Sequence, residues 1–112
     1  MCGKRLLGLG VVIGLLILPS AANARSCDPI VNPYEGTRYE GVDLTDIEAK
    51  NVSCSNAQRF VEKAHRKALG VAPSADGYRF FRYDGFSVQG NLRPSSDRYR
   101  ATRNDKLIRW RF

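Results

Sequence analysis

The spacing of apolar residues changes several times along this chain. Leu6 to Leu18 is an unbroken run of apolar residues and glycines. Cys27 to Gly41, punctuated by Pro29, Pro33, Gly36 and Gly41, shows no period and reads as irregular. From Asp43 onward Leu44, Ile47, Ala49 and Val52 are separated by polar residues, and Ile47 to Asn51 alternates. Alternation is the mark of a half-buried strand, expected at roughly Asp46 to Val52.

The period then lengthens. At 100° per residue Cys54, Ala57, Val61, Ala64 and Ala68 share one face, with Phe60 at its edge. Arg59, Lys63, Arg66 and Lys67 fall opposite, and Glu62 precedes Arg66 by one helical turn. An amphipathic helix follows, capped either by Ser53 or by a capping box of Ser55 with Gln58. Gly70 is a natural stop, with Pro73 beyond it. Val71 to Gly77 reads as a linker.

Alternation returns in the last third. Tyr78 to Tyr83 and Phe86 to Val88 flank Asp84-Gly85, a strong two-residue hairpin signal. Phe81, Tyr83, Phe86 and Val88 would share one face, Tyr78 and Phe80 the other. Both faces are aromatic, and one helix cannot easily cover both. Tyr99 to Arg103 and Lys106 to Phe112 flank Asn104-Asp105 as a second hairpin. With that two-residue loop, Tyr99 opposes Trp110 and Ala101 opposes Ile108, an apolar face. Arg100 then opposes Arg109, and Arg98 opposes Arg111. Like charges across a ladder are mildly destabilising, so this face should be solvated or meet an anion. The expected fold is α+β: a short strand, one amphipathic helix, then an antiparallel meander of three to four strands packed on the helix.

The first apolar run has a different meaning. Lys4 and Arg5 precede it, Pro19 breaks it, and Ala22-Asn23-Ala24 is a small-residue cleavage site. That order defines a secretory signal over 1–24, with cleavage after Ala24. Leu6 to Leu18 covers 13 residues, short of the roughly 20 a membrane span needs. The expectation is a secreted protein with an irregular segment at 25–42 and one small domain at 43–112. Export leaves Cys27 and Cys54 as a pair, and an oxidising compartment makes a disulfide the default. A small domain has a marginal core and gains from such a staple.

Charge is uneven. Arg25 to Gln58 holds three basic and six acidic residues, whereas the chain from Arg59 onward holds thirteen basic and five acidic. The front is therefore net −3 and the back net +8. Arg79, Arg82, Arg98, Arg100, Arg109 and Arg111 interleave with aromatic residues, a composition suited to a cell-wall or other extracellular polyanion. A second reading is a protein-interaction module, an inhibitor or surface partner, using Phe81, Tyr83, Phe86 and Val88 as an aromatic patch.

Catalysis and metal binding find little support. His65 is the sole histidine and flanks the apolar helix face, so a structural role is favoured. There is no G-x-S-x-G elbow and no C-x-x-C, and Asp43, Asp46 and Glu48 suit a wet strand face better than a metal loop. No enzyme activity, cofactor or metal is expected. Asn51-Val52-Ser53 matches a glycosylation sequon, by chance in a bacterial-type export sequence.

Val52-Ser53-Cys54-Ser55-Asn56-Ala57 resembles the helix start of a group of small exported proteins common in actinobacteria, which share V-S-C or T-S-C followed by x-x-A. Gly77-Tyr78-Arg79-Phe80 resembles that group's Gly-aromatic-x-Cys strand. Tyr99-Arg100-Ala101 with Leu107 to Phe112 resembles its final V-x-C strand and basic-aliphatic tail, and Cys27 stands where its first cysteine would be. Phe80 and Ala101 occupy the places of its second cysteine pair. The resemblance implies that these two are neighbours in the sheet, with Phe80 in the core and Phe81, Tyr83, Phe86 and Val88 turned to the other face. It implies a fold and an exported address, but no mechanism.

Overall fold

The computed structural model describes residues 24–112, so the expected signal lies, apart from Ala24, outside the described residues. The elements are β1 (Arg25–Cys27), β2 (Thr45–Lys50), α1 (Cys54–Ala68), β3 (Tyr78–Tyr83), β4 (Phe86–Asn91), β5 (Arg98–Arg103) and β6 (Lys106–Arg111). One helix packs on one six-stranded sheet of spatial order β1-β2-β6-β5-β4-β3, antiparallel throughout. The α+β expectation holds, with four strands after the helix. The segment expected to be irregular contributes one more strand, because β1 pairs Arg25, Ser26 and Cys27 with Ala49, Glu48 and Ile47.

The topology explains the helix. β2 lies next to one edge of the sheet and β3 forms the other edge. The helix carries the chain between them, and the β3–β6 meander returns until β6 pairs with β2. Ser53 is the cap: its side chain accepts from the Asn56 N–H at 3.2 Å. Gln58, the alternative box partner, instead donates its amide to the Asp28 carbonyl at 2.8 Å. The helix ends where the Gly70 and Val71 N–H groups bond three residues back, to the Lys67 and Ala68 carbonyls at 3.0 and 2.9 Å. Gly70 follows without a positive φ, so the stop does not use glycine's left-handed freedom.

Ala57, Phe60, Val61, Ala64, His65 and Ala68 form the buried stripe of α1. The three alanines let the helix approach the sheet, where Ile47, Ala49, Phe86, Val88, Tyr99, Ala101, Ile108 and Trp110 face it. Full burial of a side chain such as Val61 or Ile108 contributes about 1.5–3 kcal/mol. Tyr34, in the long loop after β1, closes one end: it is buried and its hydroxyl donates to the Glu62 carbonyl at 3.0 Å.

Both hairpins have the expected two-residue loops. Asp84 and Gly85 have φ of 51° and 78°, the positive values a type I′ turn requires at both positions. The second hairpin pairs Tyr99 with Trp110, Ala101 with Ile108, Arg100 with Arg109 and Arg98 with Arg111, as the spacing predicts.

The implied Phe80–Ala101 core pair is overturned. Ala101 is fully buried, but Phe80 is 64 % exposed on the opposite face. Phe80 pairs with Gln89, whereas Phe81, Val88 and Ala101 stand in one inward row across β3, β4 and β5. A one-residue offset in the resemblance reverses the face, because side chains alternate along a strand.

The disulfide joins Cys27, at the end of β1, to Cys54, the first residue of α1, with Cα atoms 5.4 Å apart. It fixes the edge strand to the start of the helix.

Gly90 marks a tight place. The ring of Tyr99 lies across it, and an added Cβ would come within 2.9 Å of two ring carbons, Cδ2 and Cζ. Gly90→Ala is therefore expected to destabilise the domain by about 1–3 kcal/mol, the usual cost of overpacking. Urea unfolding checks this, and an unchanged midpoint would mean that Tyr99 does not lie there.

Candidate functional site on the outer face of the sheet

Alternation sends every second strand residue away from the helix, and the register sorts these outward residues into stripes. Glu48, Arg109, Arg100, Gln89 and Phe80 stand in one row across β2, β6, β5, β4 and β3. Arg111, Arg98, Asn91 and Tyr78 make the next row. Read across the sheet, the face runs from acids through arginines and amides to aromatics.

The arginines are not equivalent. Arg109 pairs with Glu48 at 3.0 Å, and Arg111 pairs with Asp46 at 3.2 Å. A bulge between Thr45 and Glu48, with Asp46 at φ 51°, aims the second carboxylate. The two acids relieve the repulsion expected between opposed arginines. The Glu48 pair is incomplete, since Arg109 Nε is shielded from solvent without an acceptor. Arg98 and Arg100 are exposed and form no ion pair among the described residues. Both lie on β5 two residues apart, so their Cα atoms are separated by about 7 Å.

Arg82 is also exposed, at the tip of the first hairpin, but is held by Ser87 Oγ at 3.0 Å. Arg79 points the other way and leaves the candidate set. It shares the inward face with Phe81 and Tyr83. Its residue partner across the ladder is Gly90, and its guanidinium donates from Nη1 to the Tyr99 hydroxyl at 2.6 Å and from Nε to the Val71 carbonyl at 2.8 Å. Burial raises the Tyr99 pKa, and the Arg79 bond offsets part of that rise.

The proposed aromatic patch is also corrected. Phe86 and Val88 are 4 % and 2 % exposed. Phe81 and Tyr83 are half-buried against the core, Tyr83 edge-on to Phe60 at 5.7 Å between ring centres. The helix covers this face, because Phe60 fills the gap between its alanines and the first hairpin. The exposed aromatic is Phe80, stacked at 6.0 Å on the half-buried Tyr78. Alternation from Phe81 and Tyr83 was the signal for them. The acids of β2 were legible as a wet strand face, but their position beside β6 was not.

His65 belongs to the core. It is 0 % exposed, and its Nδ1 accepts from Trp110 Nε1 at 3.0 Å. Trp110 stacks on Tyr99 at 5.3 Å, so Arg79, Tyr99, Trp110 and His65 form a continuous internal chain. Burial, aided by Arg79, lowers the His65 pKa to about 3.

These features define a small disulfide-bonded α+β domain with one helix on a six-stranded antiparallel sheet. Comparison with protein-family models, curated proteins and solved structures returns no match. Among the described residues no helix is long and apolar enough to cross a membrane, and no group of His, Cys, Asp and Glu is arranged to hold a metal ion.

Proposed function

We propose that this is a secreted binding protein, not an enzyme, which takes an extracellular or cell-wall polyanion on the outer face of its sheet. The observation that carries the reading is the pair Arg98 and Arg100, exposed side by side and free of acidic partners. Arg109 and Arg111 are each answered by one acid, Glu48 and Asp46, and so add less to the potential. Phe80, beside Arg100 across a shallow depression of about 140 Å³, offers an apolar surface for the repeating unit of the polymer. The disulfide and the signal-like leader both suit an oxidising, extracellular location. The resemblance to small exported actinobacterial proteins has the same implication. A protein partner would need another surface than the buried hairpin face, with exposed Phe80 and half-buried Tyr78 as the aromatic pair.

Titration with a glycerol-phosphate polymer at two salt concentrations tests the proposal. Two phosphate contacts should cost roughly tenfold in affinity between 50 and 200 mM salt. Arg98→Gln with Arg100→Gln should remove a similar factor and flatten the salt dependence. Arg109→Gln with Arg111→Gln should do less. Affinity that is flat with salt, or untouched in the Arg98/Arg100 variant, would overturn the reading.

A further inference from the structure

A second basic site lies on the helix side of the sheet, where the first half of α1 faces the tips of both hairpins. The cleft there has a volume of about 480 Å³, within the range of small-molecule sites. Its floor is apolar, built from Phe60, Tyr83, Phe86 and Ile108. Its rim carries Arg59 and Lys63 from the helix, and Arg103 and Lys106 from the β5–β6 hairpin. Against these four cations the lining holds one acid, Asp84. Among the described residues none of the four forms an ion pair.

Two of the cations are held in place. Arg103 lies over the Phe86 ring at 5.7 Å and donates to the Asp84 carbonyl at 3.4 Å. It packs so closely on the turn that a Cβ at Gly85 would sit 3.3 Å from its Cδ. Arg59 is bound by Ser55 Oγ at 3.1 Å and by the Asn56 side chain. Lys63 and Lys106, on opposite walls, form no ion pair among the described residues. Helix and hairpin are therefore both basic where they meet over an aromatic floor. Such a crowding of like charge is relieved by an anion, and the floor would cover an apolar body attached to it.

We infer that this cleft binds a small amphipathic organic anion, a phosphate- or carboxylate-bearing molecule with a flat apolar body. The site is independent of the polyanion face, sharing no residue with Arg98, Arg100 or Phe80.

The test uses 1-naphthyl phosphate as probe on the disulfide-bonded protein, with amide NMR shifts locating it. It should bind at least about tenfold more tightly than inorganic phosphate and than neutral 1-naphthol. Shifts should centre on α1 near Lys63 and on the Asp84 and Asp105 turns. Lys63→Gln with Lys106→Gln should weaken binding at least about tenfold. Both changes are at the cleft rim, so the melting temperature should hold, confirming that the variant is folded. Arg98→Gln with Arg100→Gln should leave probe binding unchanged while impairing polymer binding, which separates the two sites. Equal affinity for phosphate and naphthyl phosphate would overturn the inference. So would shifts centred on Phe80 and Arg100, insensitivity to the Lys63/Lys106 changes in a folded variant, or no saturable binding of the probe.

Discussion

Cys54→Ala should lower the stability of this domain by about 3.5 kcal/mol and its melting temperature by roughly 15–25 °C. The bond closes a loop of 27 residues in sequence separation. In the chain-entropy picture that loop removes conformations from the unfolded state, and the native state has little else to replace it. β1 has three residues, all partly or fully exposed, and lies at the sheet edge with only β2 as neighbour. Its other ties to the helix are the Gln58–Asp28 hydrogen bond and the docking of Tyr34 on Glu62. Thermal unfolding of the oxidised protein, the reduced protein and Cys54→Ala checks the expectation. The last two should melt together, well below the first. Equal melting of all three would mean that the bridge contributes nothing.

The helix and both hairpins could be read from the chain because each is specified locally. The Cys54 to Ala68 period, the Ser53 cap, Asp84-Gly85 and Asn104-Asp105 all act over a few residues. The Arg98–Arg111 and Arg100–Arg109 pairs followed from loop length alone. What escaped was set by distant parts of the chain. Nothing near Glu48 says that β2 will lie beside the last strand, so the neutralisation of Arg109 and Arg111 was invisible. Arg79 shows the same limit. Its place on the inward face follows from alternation with Phe81, but its acceptors come from Val71 and from Tyr99, two strands away. Of the four opposed arginines of the second hairpin, Arg98 and Arg100 form no ion pair, and they lie on the strand that borders no acid-bearing neighbour. The site is therefore defined less by where arginines occur than by which of them the topology leaves unpaired.

His65 should make the domain acid-labile. Indole nitrogen is a donor only, so the Trp110 bond requires an unprotonated Nδ1 and fixes His65 as the neutral tautomer with its proton on Nε2. The surroundings offer no help to a charged ring: Tyr34, Tyr99 and Phe112 pack on it, and Arg79 is the nearby charge. The pKa accordingly falls from 6.5 to about 3. Between those values the unfolded chain binds the proton and the folded chain does not. Stability therefore is fully present above pH 6.5 and is lost as pH falls toward 3, amounting to about 3 kcal/mol by pH 4. That is a large share of the roughly 5–15 kcal/mol available to a domain. Acid acts on other groups of the chain as well, so the wild-type curve alone does not isolate the histidine. His65→Leu does. At pH 7 it should be less stable by about 1–3 kcal/mol, because the Trp110 N–H loses its acceptor in a dry core. At pH 4 that deficit should vanish or reverse, since the variant has no buried base to protonate. Urea unfolding of both proteins from pH 7 to 4 decides it. A deficit that stays constant over the range would mean that His65 protonates equally in the folded and unfolded chains, and that the internal chain from Arg79 to His65 is open to water.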